Sequence, residues 1–433
     1  MLKRSWSGQL LWGVLLSLSA RVAMAQEESN QSQELQDLKR RLEILEKEKE
    51  ARAARDNAPP AVTLMDPAED KWYDKVKIGG GVRASFRSVT QGAPNGHNPS
   101  SDFALESGRL YTGGKITEWL SATLNAEFTA NNSITAPIVG TVTTGSPQVL
   151  DAIAEFKIAS AFNIFVGRML PATDRSNSDG PYYLATWDFP FLSDGFNAAG
   201  KLGDRDDGIT FWGDIGNYKY WVGVYEGNEN AAAGLHDSLL YAARVQYDFM
   251  DAETGYYLSS TFYGDKKILA LGLVANYQRS AAGGAGNPKS MGNVAVDFLW
   301  EQKLDALGGC TPTVEAAYYY FGRHGMDATV SAVGPFDTGA GTGFLALVGV
   351  LIPGKVGWGQ FQPHIRYQGF QEASTTVAVN PTKSNVARWD FGVNYVMSGH
   401  NARVSLVYTH TTHRDQAPNQ QDGMITLGTQ FQF

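Results

Sequence analysis

The sequence predicts an all-β fold, a transmembrane antiparallel β-barrel of about sixteen strands behind a short N-terminal helical segment. Three observations carry this reading. From about Val76 to the C-terminus, apolar and polar residues alternate with a period of two, as in strands with two unlike faces. The alternating segments are joined by tight turns and long polar links in turn, which is the barrel pattern. The chain also opens with a secretory leader. Its 433 residues are 18% charged and 43% hydrophobic, with 47 Gly and 19 Tyr. Beyond the leader, no apolar run approaches the ~18 residues that a spanning helix needs.

Residues 1–25 form the expected signal peptide. Lys3 and Arg4 give the positive start, Leu10 to Leu18 the apolar core, and Ala23-Met24-Ala25 the cleavage site before Gln26. Removing it takes the net charge from −8 to −11, since Lys3, Arg4 and Arg21 leave with no acid. So acidic a chain is a poor nucleic-acid binder. Cys310 is the only cysteine. That excludes an internal disulfide, a Cys-x-x-Cys zinc site and a covalently held haem, and no cofactor is expected of the chain itself.

Residues 26–56 read as a periplasmic helical segment. Leu35, Leu38, Leu42 and Leu45 have coiled-coil spacing, but Lys49 and Arg52 break the seam after about two heptads. So short a coil adds to an association made elsewhere or is a solvated spacer. Pro59, Pro60 and Pro67 mark a linker over 57–75, and the barrel occupies 76–433.

Strands are expected near 76–89, 103–116, 119–131, 148–159, 162–170, 205–215, 218–228, 237–250, 267–280, 291–304, 311–323, 343–352, 356–371, 385–397, 401–412 and 422–433. Leu120, Ala122, Leu124, Ala126 and Phe128 share one face, while Ser121, Thr123, Asn125 and Glu127 share the other. Tight turns at Thr117-Glu118, Ser160-Ala161, Gly216-Asn217 and Ser398-Gly399-His400 put both termini on the periplasmic side of a bacterial outer membrane. The link between 250 and 267 breaks the rule: it is long, carries Tyr256, Tyr257, Phe262 and Tyr263, and leaves room for two more strands. The last strand ends on Phe433, an aromatic terminus resembling that of bacterial outer-membrane barrels.

The longest connection follows Phe162–Arg168 and precedes Ile209–Gly213. In a compact soluble domain its length would count against the flanking strands; in a wide barrel it can fold into the lumen. Tyr182, Tyr183, Trp187, Phe189 and Phe191 are the expected wall anchors, with Phe196 beside them. Its bases Arg168, Arg175, Lys201 and Arg205 face the acids Asp174, Asp179, Asp188, Asp194, Asp204, Asp206 and Asp207. Four against seven does not make a plainly anion-attracting constriction.

An anion pore needs fixed cations along its lumen. On predicted inward faces these are Arg83, Arg87, Arg109, Arg244, Arg366, Arg388 and Arg403, together with the four loop bases. Glu127, Asp248, Asp297, Glu301, Glu315 and Asp390 fall on the same faces, so wall ion pairs explain the charges as readily. His410 and His413, three apart on a strand, face opposite ways and suit no shared metal. Gly79-Gly80-Gly81 precedes no helix and marks close packing or curvature in a strand, not a phosphate loop. No Gly-x-Ser-x-Gly occurs, and a barrel hydrolase is an outlying alternative; no enzyme is expected.

The order of parts resembles the phosphate-selective porin O/P family. The stretches that carry the resemblance include Lys77-Ile-Gly-Gly-Gly-Val-Arg83, Glu106-Ser-Gly-Arg-Leu110, Asp151-Ala-Ile-Ala-Glu-Phe156, Phe165-Val-Gly-Arg168, Arg205-Asp-Asp-Gly-Ile-Thr-Phe-Trp-Gly213 and Tyr220-Trp-Val-Gly-Val-Tyr-Glu-Gly227. The resemblance implies a homotrimeric passive channel in contact with outer-membrane lipid, passing small hydrophilic solutes or oxyanions such as phosphate. Asp251-Ala-Glu-Thr-Gly-Tyr-Tyr257 and Gly264-Asp-Lys-Lys-Ile-Leu269 look more like relatives that serve as the barrel of porin–cytochrome assemblies. That alternative implies a multihaem cytochrome partner.

Overall fold

Sixteen antiparallel strands close into one barrel in the computed structural model, each hydrogen-bonded to its sequence neighbours and the last to the first. The described residues are 75–90, 99–128, 148–196, 205–227, 238–284, 287–322, 340–373, 385–413 and 420–433. The expected leader (1–25), helical segment (26–56) and all but the last residue of the linker lie outside them, as does Lys201.

In order the strands are β1 (Val76–Val89), β2 (Ser100–Lys115), β3 (Leu120–Phe128), β4 (Gln148–Ala159), β5 (Phe162–Met169), β6 (Asp206–Ile215), β7 (Tyr218–Tyr225) and β8 (Leu240–Asp248). There follow β9 (Ile268–Gly284), β10 (Asn287–Glu301), β11 (Thr311–Gly322), β12 (Gly341–Leu351), β13 (Gln360–Glu372), β14 (Val386–Ser398), β15 (Ala402–His413) and β16 (Gln420–Gln432). All sixteen expected segments are strands. The open question at 250–267 resolves against extra strands, because that link leaves the wall.

Closure rests on β1 pairing with both β2 and β16. The terminal residue helps to seal it: Phe433 N donates to Gly80 O at 2.9 Å and Gly80 N to Phe433 O at 3.1 Å. Leu271, Leu273, Val294, Val296, Phe344, Leu406 and Leu427 are all exposed on the outer face. So much apolar surface around a whole barrel requires lipid, and a closed barrel meets lipid without unpaired backbone edges. The barrel spans a membrane.

One register change matters for the lumen. Arg83 opposes Ser107 and Ala84 opposes Leu105, so Glu106 is an extra residue bulged out of the β1–β2 ladder. A bulge reverses the face of every side chain beyond it. Phe103 and Leu105 before it and Leu110 after it therefore all face outward. Glu106, Ser107 and Arg109 all reach inward.

Candidate functional site

The lumen is the site, and the segment after Met169 fills much of it. This segment contains two short helices, α1 (Arg175–Asp179) and α2 (Phe191–Phe196). It is held chiefly by wall side chains that bind its backbone. Arg403 donates to Leu184 O at 2.6 Å, Asn394 to Ala185 O at 2.7 Å, Arg366 to Asp188 O at 2.9 Å and Gln430 to Tyr182 O at 2.8 Å. Across the lumen, Asn276 and Asn293 donate to Phe196 O, and Arg175 N donates to Asp297. An irregular segment inside a barrel has no ladder, so its carbonyls need donors from the wall.

Aromatic side chains fix its position. Tyr182, Trp187 and Phe191 are fully buried, Tyr183 and Phe189 half-buried. The Arg83 guanidinium stacks 4.1 Å above the Trp187 ring and donates to Trp187 O. Two wall glycines admit these rings. A Cβ on Gly81 would lie 2.8 Å from Tyr182, and one on Gly428 2.5 Å from Trp187. Gly81 closes the glycine run, which serves close packing.

The charges segregate. Arg83 and Arg87 on β1, Arg109 on β2, Arg366 on β13, Arg388 on β14 and Arg403 on β15 form a basic arc, all of them inside the barrel. Acids pair within it: Arg87 lies 2.5 Å from Glu106 and 2.7 Å from Asp188, Arg366 lies 2.8 Å from Asp390, and Arg109 pairs with Glu127. The opposite wall, β8 to β11, presents Asp248, Asp297, Glu301 and Glu315, with Arg244 bound to Asp297 at 2.8 Å. Arg205 is buried against Asp151 at 3.1 Å. Both readings of the arginines thus meet in one geometry: they line the lumen, and most of the bonds they make go to protein acids and loop carbonyls.

Arg168 departs from expectation. It was grouped with the pore-lining bases, but β5 alternation carries it outward with Phe162, Ile164 and Val166. There it pairs with exposed Asp207 at 3.7 Å and donates to Val149 O at 3.1 Å. Parity decides this, since Asn163, Phe165 and Met169 hold the inner face.

A second segment enters from the end with the tight turns. Between β8 and β9 the chain folds up into the barrel, burying Glu253, Tyr256, Leu258, Ser259, Ser260 and Thr261. Glu253 pairs with Arg175 of α1 at 2.6 Å. Leu258 N and Ser260 N donate to Ser178 O and Tyr183 O of the first loop, each at 3.2 Å. Tyr256 packs its ring on Phe165 and points its hydroxyl at Leu170 O, 2.6 Å away. Only a narrow interstice, too tight for a water molecule, remains between the two segments and the wall, lined by Ser176, Leu184, Thr186, Ser260, Glu315 and Arg366 among others.

His400, in the β14–β15 turn, joins all three parts. Its ring packs at a tilt against Tyr183 and Tyr263, centroids 4.5 and 4.8 Å away, and Nε2 bonds Thr261 O at 2.9 Å. Burial, with Arg403 close by, lowers its pKa from 6.5 to about 3. The unfolded chain therefore takes up this proton near pH 6.5 and the folded chain only near pH 3. The stabilisation is complete above the higher value and is lost as pH falls through that window. Urea titrations at pH 7 and 4 should accordingly show a smaller acid-induced loss of stability in His400→Gln than in the wild type.

The loop carboxylates diverge. Burial pushes Asp174 up, although Ser193 and Tyr319 donate to it at 2.7 and 2.9 Å. Burial also opposes ionisation of Asp188, but the Arg87 and Arg388 guanidiniums outweigh it and hold that pKa below the usual carboxylate range. Asp188 is thus an anion seated in the basic arc.

No family model matches the chain, and no curated protein does. Solved structures do. The anion-selective porin of Comamonas acidovorans is 14% identical, with 83% of this chain and 99% of that one covered and a TM-score of 0.53. Pseudomonas putida OprB at high pH is 11% identical over 83% of this chain and 95% of its own, with a TM-score of 0.56. Salmonella typhi OmpF, in complex with daunomycin, is 14% identical over 83% and 97%, with a TM-score of 0.52. The fold is that of the outer-membrane porins.

Asp188, Glu253 and His400 escaped the sequence reading. Asp188 counted only as one loop acid among several, His400 only as part of a tight turn, and Glu253 belonged to a link of unassigned structure. No local pattern announces contacts made across a lumen.

Proposed function

We propose that this chain is a passive diffusion channel of the bacterial outer membrane for small hydrophilic solutes, exported behind its leader and assembled as a homotrimer with its N-terminal segment in the periplasm. The observation that carries the reading is a barrel with a lipid-facing apolar exterior and a charged interior crossed by an inserted loop. The finer reading, a preference for oxyanions such as phosphate, draws on the arc of Arg83, Arg87 and Arg388 around the Asp188 carboxylate, with Arg366 on its carbonyl. Guanidinium groups replace part of an anion's lost hydration. The cytochrome-sheath reading has the 251–269 stretch in its favour. Much of that same stretch, Glu253 to Tyr257, however, is folded inside the barrel.

Planar bilayers test this directly. Stable conductance steps are expected, with a reversal potential across a salt gradient on the anion-preferring side. Asp188→Asn removes a negative charge from the arc and should move the potential further towards the anion's equilibrium value, whereas Arg388→Ala should move it back. A folded barrel that conducts nothing, and still conducts nothing without its inserted segments, would end the channel reading. Haem protein copurifying with the barrel would revive the sheath.

A further inference from the structure

The two inserted segments fill the lumen unevenly. Phe191, Leu192 and Phe196 of the first form one buried apolar cluster with the inner faces of β9–β14. Tyr256 and Leu258 of the second form another, chiefly with β5–β8. Around these clusters the wall charges are sealed: Arg244, Asp297, Glu315, Arg366, Asp390 and Arg403 are at most 3% exposed. The inner face of β2–β4 differs. Glu106, Arg109, Glu127 and Glu155 keep 13–14% of their side-chain surface, and Lys157, towards the tight turns, keeps 54%. Among the charges of these three strands only Asp151 is buried, beneath Arg205.

Glycines report the same asymmetry. A Cβ on Gly272, Gly343, Gly392 or Gly428, spread over β9–β16, would fall 2.2–2.5 Å from a neighbouring side chain. One on Gly180, at the end of α1, would meet only Arg109 Nη1, 3.9 Å away. The Arg109 guanidinium is held there by Glu127, its register partner on β3, and by the Tyr182 ring, 5.5 Å away. Tyr257 of the second segment, half-buried, lies within reach of the charges of Arg109, Asp151 and Glu155.

We infer that solutes pass along the inner face of β2–β4, through a slot between Gly180 and the Arg109–Glu127 pair, and that this pair sets the charge selectivity. This rests on the channel reading: without a permeant solute the slot is only a cleft beside the wall. The path runs from Glu106 and Asp188, the latter 17% exposed, down to Glu155 and Lys157. Arg366 and Arg403 lie off it and serve the loop. Within the slot the two charges oppose each other at one height. Removing either leaves the other unbalanced beside the solute, in a confined space where screening is weak.

Thr123, half-buried on β3 with its hydroxyl on Glu155, and Ser405, fully buried on β15, are each replaced by Cys in a Cys310→Ser background. The folded barrels, in vesicles and in bilayers, are treated with trimethylammonioethyl methanethiosulfonate, a thiol reagent of small-solute size. Thr123→Cys should take the label, read by mass spectrometry, and its conductance should fall at least twofold. Ser405→Cys should be neither labelled nor changed. Glu127→Gln should move the reversal potential towards the anion's equilibrium value, and Arg109→Gln towards the cation's. An unlabelled Thr123→Cys, or faster labelling of Ser405→Cys, overturns the slot whether or not the barrel conducts. Labelled Thr123→Cys with wild-type conductance, or both charge variants with wild-type reversal potentials, overturns it and leaves the channel standing. A labelled barrel that never conducts overturns the channel, and the slot with it.

Discussion

Asp297→Ala is expected to destabilise the barrel by about 3–5 kcal/mol, because it leaves a buried guanidinium without its counter-ion. Arg244 is 1% exposed and Asp297 2%, and they meet at 2.8 Å. Asp297 also accepts from Arg175 N at 3.1 Å, so the substitution frees the start of α1. Among the described residues Arg244 keeps as acceptors Gln246 Oε1 at 2.8 Å and Thr173 O at 3.2 Å, neutral groups that cannot balance its charge. Replacing both partners by apolar residues of similar volume, Arg244→Met with Asp297→Leu, should restore the part of the stability lost to the unpaired Arg244 charge, while Arg175 N stays without its acceptor. Equilibrium urea unfolding in lipid vesicles, followed by tryptophan fluorescence, measures both. A loss for the single variant below about 1 kcal/mol, the range of solvent-exposed pairs, would mean that water reaches this wall.

Trp187→Ala should be nearly as damaging to the loop, at about 3–5 kcal/mol by the usual cost of truncating a buried tryptophan. The ring is fully buried, lies against Gly428 and carries the Arg83 guanidinium on its face. Its Nε1 has no hydrogen-bond partner among the described residues, so the ring acts by packing and by its π-face. Trp187→Phe should therefore keep most of the stability. In bilayers the alanine variant should show noisier and larger conductance, because the backbone that Arg83 and Arg366 grip loses its wedge. A quiet, wild-type-sized conductance would show that the loop is held by its carbonyl clamps alone.

The strands were legible because a barrel wall is a local code. Each residue's face is decided by its parity, and Leu120 to Phe128 or Ala402 to Tyr408 can be sorted into lipid and lumen without knowing what lies opposite. Parity also explains the miss at Arg168, which was grouped with the loop although it is still the seventh residue of β5. Aromatic density in the long connection pointed correctly to an inserted loop, since Tyr182, Trp187 and Phe191 have no reason to cluster in a solvated link. The segment between β8 and β9 was visible only as a long link carrying Tyr256, Tyr257, Phe262 and Tyr263, with nothing to say that it enters the lumen.

By itself, the sequence determined the barrel, its strands to within the open stretch at 250–267, the closing strand at Phe433, the inward arginines and the inserted loop. These follow from two-residue periodicity and from how each stretch divides between lipid and water. Only the tertiary structure decided what the arginines hold. Whether Arg83, Arg366 or Arg403 meets a solute, an acid or a loop carbonyl depends on which segment is folded into the lumen, a contact between residues 100 to 220 positions apart. The bulge at Glu106 is of the same kind, because one extra residue reverses a face, and only pairing with the neighbouring strand shows where it falls. The place of the β8–β9 segment was decided in the same way, by Arg175 and Asp179 waiting across the barrel for Glu253 and Ser260.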